Sequence, residues 1–165
     1  MRQINCSQCG SVAKVVRGSY QFKESGLDYV YLKGIDLVKC HDCGTIDPII
    51  PHINELMRVV ALAVIARPYR LAGEEVRFLR KFLGKTGAEF SGIVSVDITT
   101  LSKWENNEDP VGEQSDRLIR AVVLALDDKL KERSRDVINS FPQIEKEFHD
   151  NQIEIDPAKM SYAYA

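Results

Sequence analysis

Four cysteines are the residues of this chain whose type and spacing point most directly to chemistry. Cys6 and Cys9 form one Cys-x2-Cys pair, Cys40 and Cys43 form a second, and a glycine follows each pair. In such a knuckle a tight turn places two thiolates on one side, and the glycine lets backbone NH groups point at sulfur. Two knuckles supply four sulfur ligands in a tetrahedral arrangement, which suits Zn²⁺. The spacing therefore predicts one structural zinc ion bound by all four cysteines.

Two other interpretations of the cysteines are a disulfide framework and a thioredoxin-like redox motif. Disulfides are disfavoured in the cytoplasm, and a redox motif would be a single Cys-x2-Cys before a helix of a βαβ unit. Four cysteine ligands leave no coordination position open for water, so we expect no catalysis by the zinc. His41 could replace a cysteine as ligand, but its position between Cys40 and Cys43 predicts an exposed turn residue.

The segment between the cysteine pairs has the composition of β-strands. β-Branched residues, mostly valines, and aromatic residues are concentrated in residues 11–17, 19–23 and 29–34. Residues 37–39 lead into the second cysteine pair. Residues 1–48 are therefore predicted to form a small zinc ribbon, whose core is too small to be stable without the metal. A chelator is expected to unfold this half of the chain.

The elements that follow are predicted helices, and those of residues 71–110 are short and joined by tight turns. The first has an apolar face and a glycine stop, formed by Val76, Leu79, Leu83 and Gly84. The second begins after Thr86, an N-cap residue whose capping-box partner is Glu89. Its apolar face consists of Phe90, Ile93 and Val94.

Asp97 caps the third helix, in which Leu101 and Trp104 are apolar and the opposite face is small and polar. A short helix, a tight turn and a helix of this kind form the pattern of a DNA-reading helix-turn-helix. Thr, Ser and Lys can bond to base edges or phosphates, and a threonine methyl can touch a thymine methyl. The predicted DNA-binding residues are Thr86, Gly87, Ile98, Thr99, Thr100, Ser102, Lys103 and Asn106. The alternative is three ordinary amphipathic helices with a solvated polar face.

The same stretch resembles the helix-turn-helix of the Cro/C1-type (XRE) repressor family. The matching motifs are Thr86…Glu89-Phe90-Ser91 and Leu101-Ser102-Lys103-Trp104-Glu105-Asn106. The chain departs from the family at Gly87, where the family often has glutamine, and at Ser95, where it often has a turn glycine. The resemblance implies DNA binding by a lambda-repressor-like domain, here residues 69–133.

Helices are also predicted on both sides of this stretch. Residues 49–68 form a connector, in which Asn54 caps a helix to Ala66 that is too apolar to be isolated. Packing in an intramolecular core and packing against a second subunit both remain open for it. The helix of residues 113–133 has an apolar stripe formed by Leu118, Val122, Leu126 and Leu130 and widened by Ile119, Val123 and Leu124. We expect this helix to close the helix-turn-helix core and, by analogy, to carry a dimer interface.

The two halves together resemble the MqsA-type antitoxins (YgiT-type zinc finger family) over residues 6–126. Besides the cysteines, the matching motifs are Tyr31-Leu32-Lys33-Gly34 and Val76…Arg80-Lys81…Leu83. The resemblance implies a two-domain dimer whose zinc domain grips a small ribonuclease toxin and whose helix-turn-helix represses its own promoter. Carried over by alignment, the base-reading positions are Thr99 and Lys103, where the family can have Asn and Arg, so the operator should differ.

Residues 134–165 have no counterpart in that family. They are predicted to be a helical and mobile extension, with a helix over residues 136–148 interrupted by Pro142. The last part, residues 153–165, is expected to be a mobile tail, because chain termini fray by default.

The composition of the chain argues against several classes of protein function. A hydrophobic fraction of 44% with 28% charged residues is typical of a soluble globular protein, and a net charge of −2 does not suit a non-specific DNA coater. No run is apolar enough to cross a membrane and no secretory signal begins the chain, so we expect a cytoplasmic protein without membrane association. We find no catalytic constellation or phosphate-binding loop, and predict no enzyme.

Basic and acidic residues balance within residues 67–126, so a DNA-facing surface would need segregated charges. The cations expected to supply it are Arg77, Arg80, Lys81, Lys85 and Lys103. Because that attraction is modest, we expect weak non-specific binding and a need for dimerisation.

The sequence thus predicts an α+β protein of two domains, a small β-rich zinc ribbon followed by an all-α helix-turn-helix domain. The expected function is a homodimeric repressor that binds double-stranded operator DNA, most simply the antitoxin of a toxin–antitoxin pair with a small toxin protein as partner. A zinc/helix-turn-helix regulator without a toxin and a protein-interaction adaptor remain as alternatives.

Overall fold

Alternating apolar residues form one sheet, and helices with apolar stripes pack against it. The computed structural model describes residues 3–146 and 151–165, and within them the sheet has six strands. The strands are β1 Gln3–Asn5, β2 Val12–Gln21, β3 Val30–Cys40, β4 Ile46–Ile49, β5 Ile153–Asp156 and β6 Ser161–Tyr164. The α-helices are α1 Ile53–Ala66, α2 Gly73–Phe82, α3 Gly87–Ile93, α4 Ile98–Glu105, α5 Glu113–Leu126 and α6 Ser134–Asn139. Short 3-10 segments span Lys23–Ser25, Leu130–Arg133 and Phe141–Gln143.

Strand β3 is the centre of the sheet. It pairs along one edge with β2, which itself pairs with β1, and along its other edge with both β4 and β5. The strand segments predicted between the cysteine pairs merge into β2 and β3, and the β2–β3 register shifts between Gly18 and Tyr20. Only the β3–β5 pairing is parallel among the described strands.

The expectation of a mobile tail is wrong for the end of the chain. Strand β5 pairs with Val30–Leu32 of β3, and β6 pairs with β5 as an antiparallel hairpin. Ile153 and Ile155 are fully buried, because their alternation directs both side chains into the core. The predicted helix over residues 136–148 is also wrong: α6 ends at Asn139, a 3-10 turn follows, and residues 147 and 148 lie outside the described part.

One hydrophobic cluster contains side chains of the sheet and of all six α-helices. It includes Leu56, Val60 and Val64 of α1, so the connector helix packs in the intramolecular core. The α+β prediction is confirmed, whereas the division into two separate domains stays a prediction. The N-cap of α1 lies two residues before the predicted Asn54, because His52, with φ of 47°, provides the first carbonyl acceptor.

Helix α5 buries one side of the predicted apolar stripe, at Ile119, Val123 and Leu124, and exposes the other. It ends at Leu126, and Leu118 and Leu126 of the predicted stripe are 42% and 52% exposed. The buried face includes Asp116, Ile119 and Arg120. The charged pair can be buried because Arg120 Nε donates to Asp116 Oδ2 at 2.9 Å, which satisfies both side chains.

Arg120 also fixes the chain between α1 and α2. Its guanidinium donates to the carbonyl oxygens of Ile65 at 2.8 Å, Arg67 at 2.7 Å and Tyr69. Asp116 Oδ1 accepts from the backbone NH of Leu71 at 2.6 Å. Residues 65–71, which include the end of the predicted connector, are therefore held by buried hydrogen bonds.

Candidate metal centre and candidate nucleic-acid interface

The four cysteines converge on one point, as predicted. The Sγ atoms of Cys6 and Cys43 are 3.6 Å apart, those of Cys9 and Cys40 are 3.5 Å apart, and all four lie within 4.8 Å of one another. A tetrahedral site with metal–sulfur bonds of about 2.3 Å places sulfur atoms about 3.8 Å apart, whereas a disulfide would bring them to about 2 Å. All four are free thiols, and the cluster fits one structural metal ion.

Backbone hydrogen bonds build the two knuckles. The NH of Cys6 donates to the carbonyl of Ser11 at 2.8 Å, and the NH of Cys40 donates to that of Thr45 at 3.0 Å. The glycines after each pair, Gly10 and Gly44, have φ of 75° and 73°, which L side chains adopt only with strain. The spacing thus predicted these turns correctly.

Hydrogen bonds lower the pKa of Cys9 and Cys43, the two exposed cysteines of the cluster. A contact of 3.1 Å with the Thr45 hydroxyl is the main reason that the pKa of Cys43 is lowered to about 6. Hydrogen bonds with Ser11 likewise lower the pKa of Cys9. Thiolates are the ligands that metals bind, so these environments favour the required form. His41 is fully exposed beside this cluster, as expected of a turn residue.

Helix α3 begins with the predicted capping box. Thr86 Oγ1 accepts from the NH of Glu89 at 3.2 Å, and Glu89 Oε2 accepts from the NH of Thr86 at 2.8 Å. Helix α4 begins with the predicted Asp97 cap, whose Oδ1 accepts from the NH of Thr99 at 2.7 Å. These hydrogen bonds hold the pKa of both carboxyl groups below their usual values.

Apolar residues on α3 and α4 hold the two helices together. Phe90, Val94, Leu101 and Trp104 are buried, but Ile93, predicted on the same face, is 39% exposed at the end of α3. Ser95 makes the turn between the helices with φ of 56°, the position where the XRE family often has glycine. The helix–turn–helix sequence of elements is therefore present in the structure.

Helix α2 holds the end of α4 through an ion pair. Arg80 Nε and Nη2 bind the two carboxylate oxygens of Glu105 at 2.6 and 2.9 Å, and Arg77 Nη2 donates to the Glu105 carbonyl at 2.7 Å. Arg77 and Arg80 were expected to belong to a free cationic surface. That expectation is wrong for Arg80, whose charge is neutralised by Glu105, and Arg77 is largely committed to the same residue.

A close backbone approach at Gly73 was not predicted. A Cβ at this position would lie 2.0 Å from the carbonyl oxygen of Trp104 and 2.7 Å from Asn107 Oδ1. The NH of Gly73 donates to that Asn107 oxygen at 2.8 Å. The sequence shows only a glycine at a helix start, and nothing local indicates that α4 passes so near.

The eight predicted DNA-binding residues lie at the starts of α3 and α4 and along α4. Thr86, Ile98, Thr99, Ser102, Lys103 and Asn106 are exposed, and Gly87 and Thr100 are half-buried. Several already have partners: Lys103 Nζ lies 3.5 Å from Asp109, and Asn106 Oδ1 accepts from Arg77 at 2.7 Å. The arrangement can present a mixed methyl and hydroxyl surface to a groove of matching shape.

Comparisons of the chain with protein-family models, with curated proteins and with solved structures found no match. In the described part of the chain, every helix is too short or too polar to cross a membrane.

Proposed function

We propose that this chain is a sequence-specific DNA-binding transcriptional repressor that reads double-stranded DNA with α4 and contains one structural Zn²⁺ in its cysteine cluster. The observation that supports it is the two-sided character of α4. Leu101 and Trp104 are buried against the neighbouring helices, while Thr99, Ser102 and Lys103 are exposed on a helix that follows a tight turn. We place the protein in the cytoplasm and assign it no enzymatic activity.

The repressor is proposed to act as a homodimer through α5. The side chains of Leu118 and Leu126 are exposed, and Val122 lies halfway between them on the same helix face. An antiparallel α5 of a second copy would place Leu118 against the partner's Leu126 and the two Val122 side chains together. A two-fold dimer of this kind presents two reading helices to two half-sites.

The DNA proposal is tested by fluorescence anisotropy with the duplex upstream of the gene. Thr99→Ala and Lys103→Ala should each weaken specific binding by about 1–3 kcal/mol if they contact bases. Lys131→Ala is the matched control, because Lys131 is an exposed lysine of the 3-10 turn after α5. Full affinity in both α4 variants, or no specific binding by the wild type, would remove the proposal.

We further propose that the protein is the antitoxin of a toxin–antitoxin pair and that its DNA binding autoregulates the operon. The support is the combination of a four-cysteine cluster and a helix-turn-helix in one chain. Inducing the adjacent reading frame alone should arrest growth, and co-expression with this protein should restore it. Absence of arrest from either neighbour would leave a regulator without a toxin or, if DNA binding also fails, a protein-interaction adaptor.

A groove of about 580 Å³ favours, as second candidate, a regulator that responds to a small molecule. It lies where β4, α1 and the β5–β6 turn meet, and its lining includes Arg17, Asp36, His52 and Met160. His52 and Met160 have φ of 47° and 48°, and such strained residues cluster at ligand sites. A thermal-shift screen of metabolites tests it: a genuine ligand must lose its shift in Arg17→Ala.

A further inference from the structure

The first turn of α4 exposes an apolar side chain at the centre of the proposed DNA interface. Ile98 is 53% exposed, although Leu101, three residues later, is almost fully buried. Thr99, beside it, is also exposed and carries a methyl group. The leading part of this helix therefore offers branched aliphatic groups where a reading helix meets base edges.

The polar side chains of the same helix are less free to read bases. Lys103 lies 3.5 Å from the Asp109 carboxylate, and the Asn106 side-chain oxygen accepts from Arg77. Asn106 Nδ2 is 3.4 Å from Ser102 Oγ, so these two also contact each other. Hydrogen-bonding groups that already have partners must break those contacts before they bind a base. Ile98 has no such competing contact to lose.

The capping carboxylate of Asp97 disfavours phosphate binding by the first turn of α4. Asp97 Oδ1 accepts the NH of Thr99, and the carboxylate is exposed and negatively charged. A phosphate at this helix end would be repelled by that charge and would find the Thr99 amide already bonded. The first turn of α4 is therefore suited to uncharged base edges.

We propose that Ile98 reads the 5-methyl group of a thymine in each half-site of the operator, an inference that rests on the proposed DNA-binding function. Thymine is the one base that presents a methyl group in the major groove, and apolar side chains recognise it by contact. Burying one methyl group stabilises by about 0.8 kcal/mol, which corresponds to about fourfold in Kd.

The test removes that methyl group from the DNA and the isoleucine from the protein. Duplexes are first selected from a random library with the full chain, and each thymine of the selected site is then replaced by uracil. One position per half-site should weaken wild-type binding about fourfold, and Ile98→Ala should bind the thymine and uracil duplexes equally. Ile93→Ala is the matched control, because Ile93 is a 39% exposed isoleucine at the end of α3 and should keep the discrimination.

The outcomes separate this inference from the function on which it rests. Selection of a specific duplex with equal affinity for thymine and uracil at every position would overturn the role of Ile98 alone. The same holds if Ile98→Ala keeps the full discrimination. Failure to select any duplex would remove the DNA-binding proposal and this inference together. Unchanged fluorescence of Trp104, the single tryptophan, verifies that each variant is folded.

Discussion

Replacing Arg120 by methionine should destabilise the whole protein, because the change isolates a buried carboxylate. Arg120 is fully buried and binds Asp116 and the carbonyl oxygens of Ile65, Arg67 and Tyr69. Methionine replaces the apolar stem of arginine but not its guanidinium, so the Asp116 carboxylate and the three carbonyl oxygens lose their donor. Removing one partner of a buried ion pair costs about 3–5 kcal/mol. That is a large part of a total stability of about 5–15 kcal/mol.

Urea unfolding followed by Trp104 fluorescence and circular dichroism measures this effect. With an m-value of about 2 kcal/mol per molar, the midpoint should fall by about 2 M. The control is Arg117→Met on the same helix. Arg117 pairs with Glu113 in a half-exposed i, i+4 ion pair, and such pairs contribute only about 0.2–0.5 kcal/mol.

A double variant distinguishes an isolated charge from lost packing. Asp116→Leu combined with Arg120→Met removes both charges, so its destabilisation should be smaller than the sum of the two single changes. A loss below about 1 kcal/mol in Arg120→Met, or strictly additive changes in the double variant, would refute the view that this ion pair holds the α1–α2 segment.

Three further predictions concern the metal, a glycine and a cap. Metal removal should loosen the small cluster around the cysteines but leave Trp104 fluorescence and the main thermal transition unchanged, because Val30, Leu32, Ile35 and Leu37 of β3 pack in the larger cluster; complete loss of circular dichroism in EDTA would contradict this. Gly73→Ala should cost about 1–3 kcal/mol or more in urea unfolding, since its Cβ would overlap the Trp104 carbonyl oxygen, and an unchanged midpoint would disprove that contact. The pKa of Asp97 is lowered by hydrogen bonds from Thr99, so the unfolded chain takes up this proton first on acidification. The cap therefore stabilises above the ordinary pKa of about 3.9 and is lost as pH falls through the folded pKa, and Asp97→Asn should show a weaker acid destabilisation than wild type.

Features with a local cause could be predicted from the sequence. The Thr86–Glu89 capping box and the Asp97 cap each depend on residues within three positions, and the structure has both. The cysteine cluster was predictable because each knuckle is a local turn and sulfur chemistry implies that the two knuckles meet. Ser95 was identified as a turn residue by resemblance, and its φ of 56° shows the strain that the missing glycine leaves.

Features with a distant cause could not be predicted. A charged residue in a helix is normally exposed, and besides the local Asp116 the partners that make burial of Arg120 favourable are carbonyl oxygens more than fifty residues away. Ile153 and Ile155 do alternate, but their partner strand β3 is more than a hundred residues earlier and nothing near them indicates it. Gly73 is similar, because its restriction comes from the end of α4.

The sheet and helix α2 are joined by a buried polar contact that leaves little room for a hinge. The Tyr29 hydroxyl, whose pKa is raised by burial, donates to Glu75 Oε1 at 2.6 Å, and Arg67 donates to the same oxygen at 2.6 Å. Glu75 Oε2 accepts the NH of Ala72 and so caps α2. Rotating the helices against the sheet would separate the Tyr29 hydroxyl from the Glu75 carboxylate and Arg67 from the Asn151 carbonyl, and buried polar groups that lose a partner are costly. In the proposed homodimer, the distance between the reading helices would therefore be set by α5 alone, and operators with altered half-site spacing would be rejected rather than accommodated.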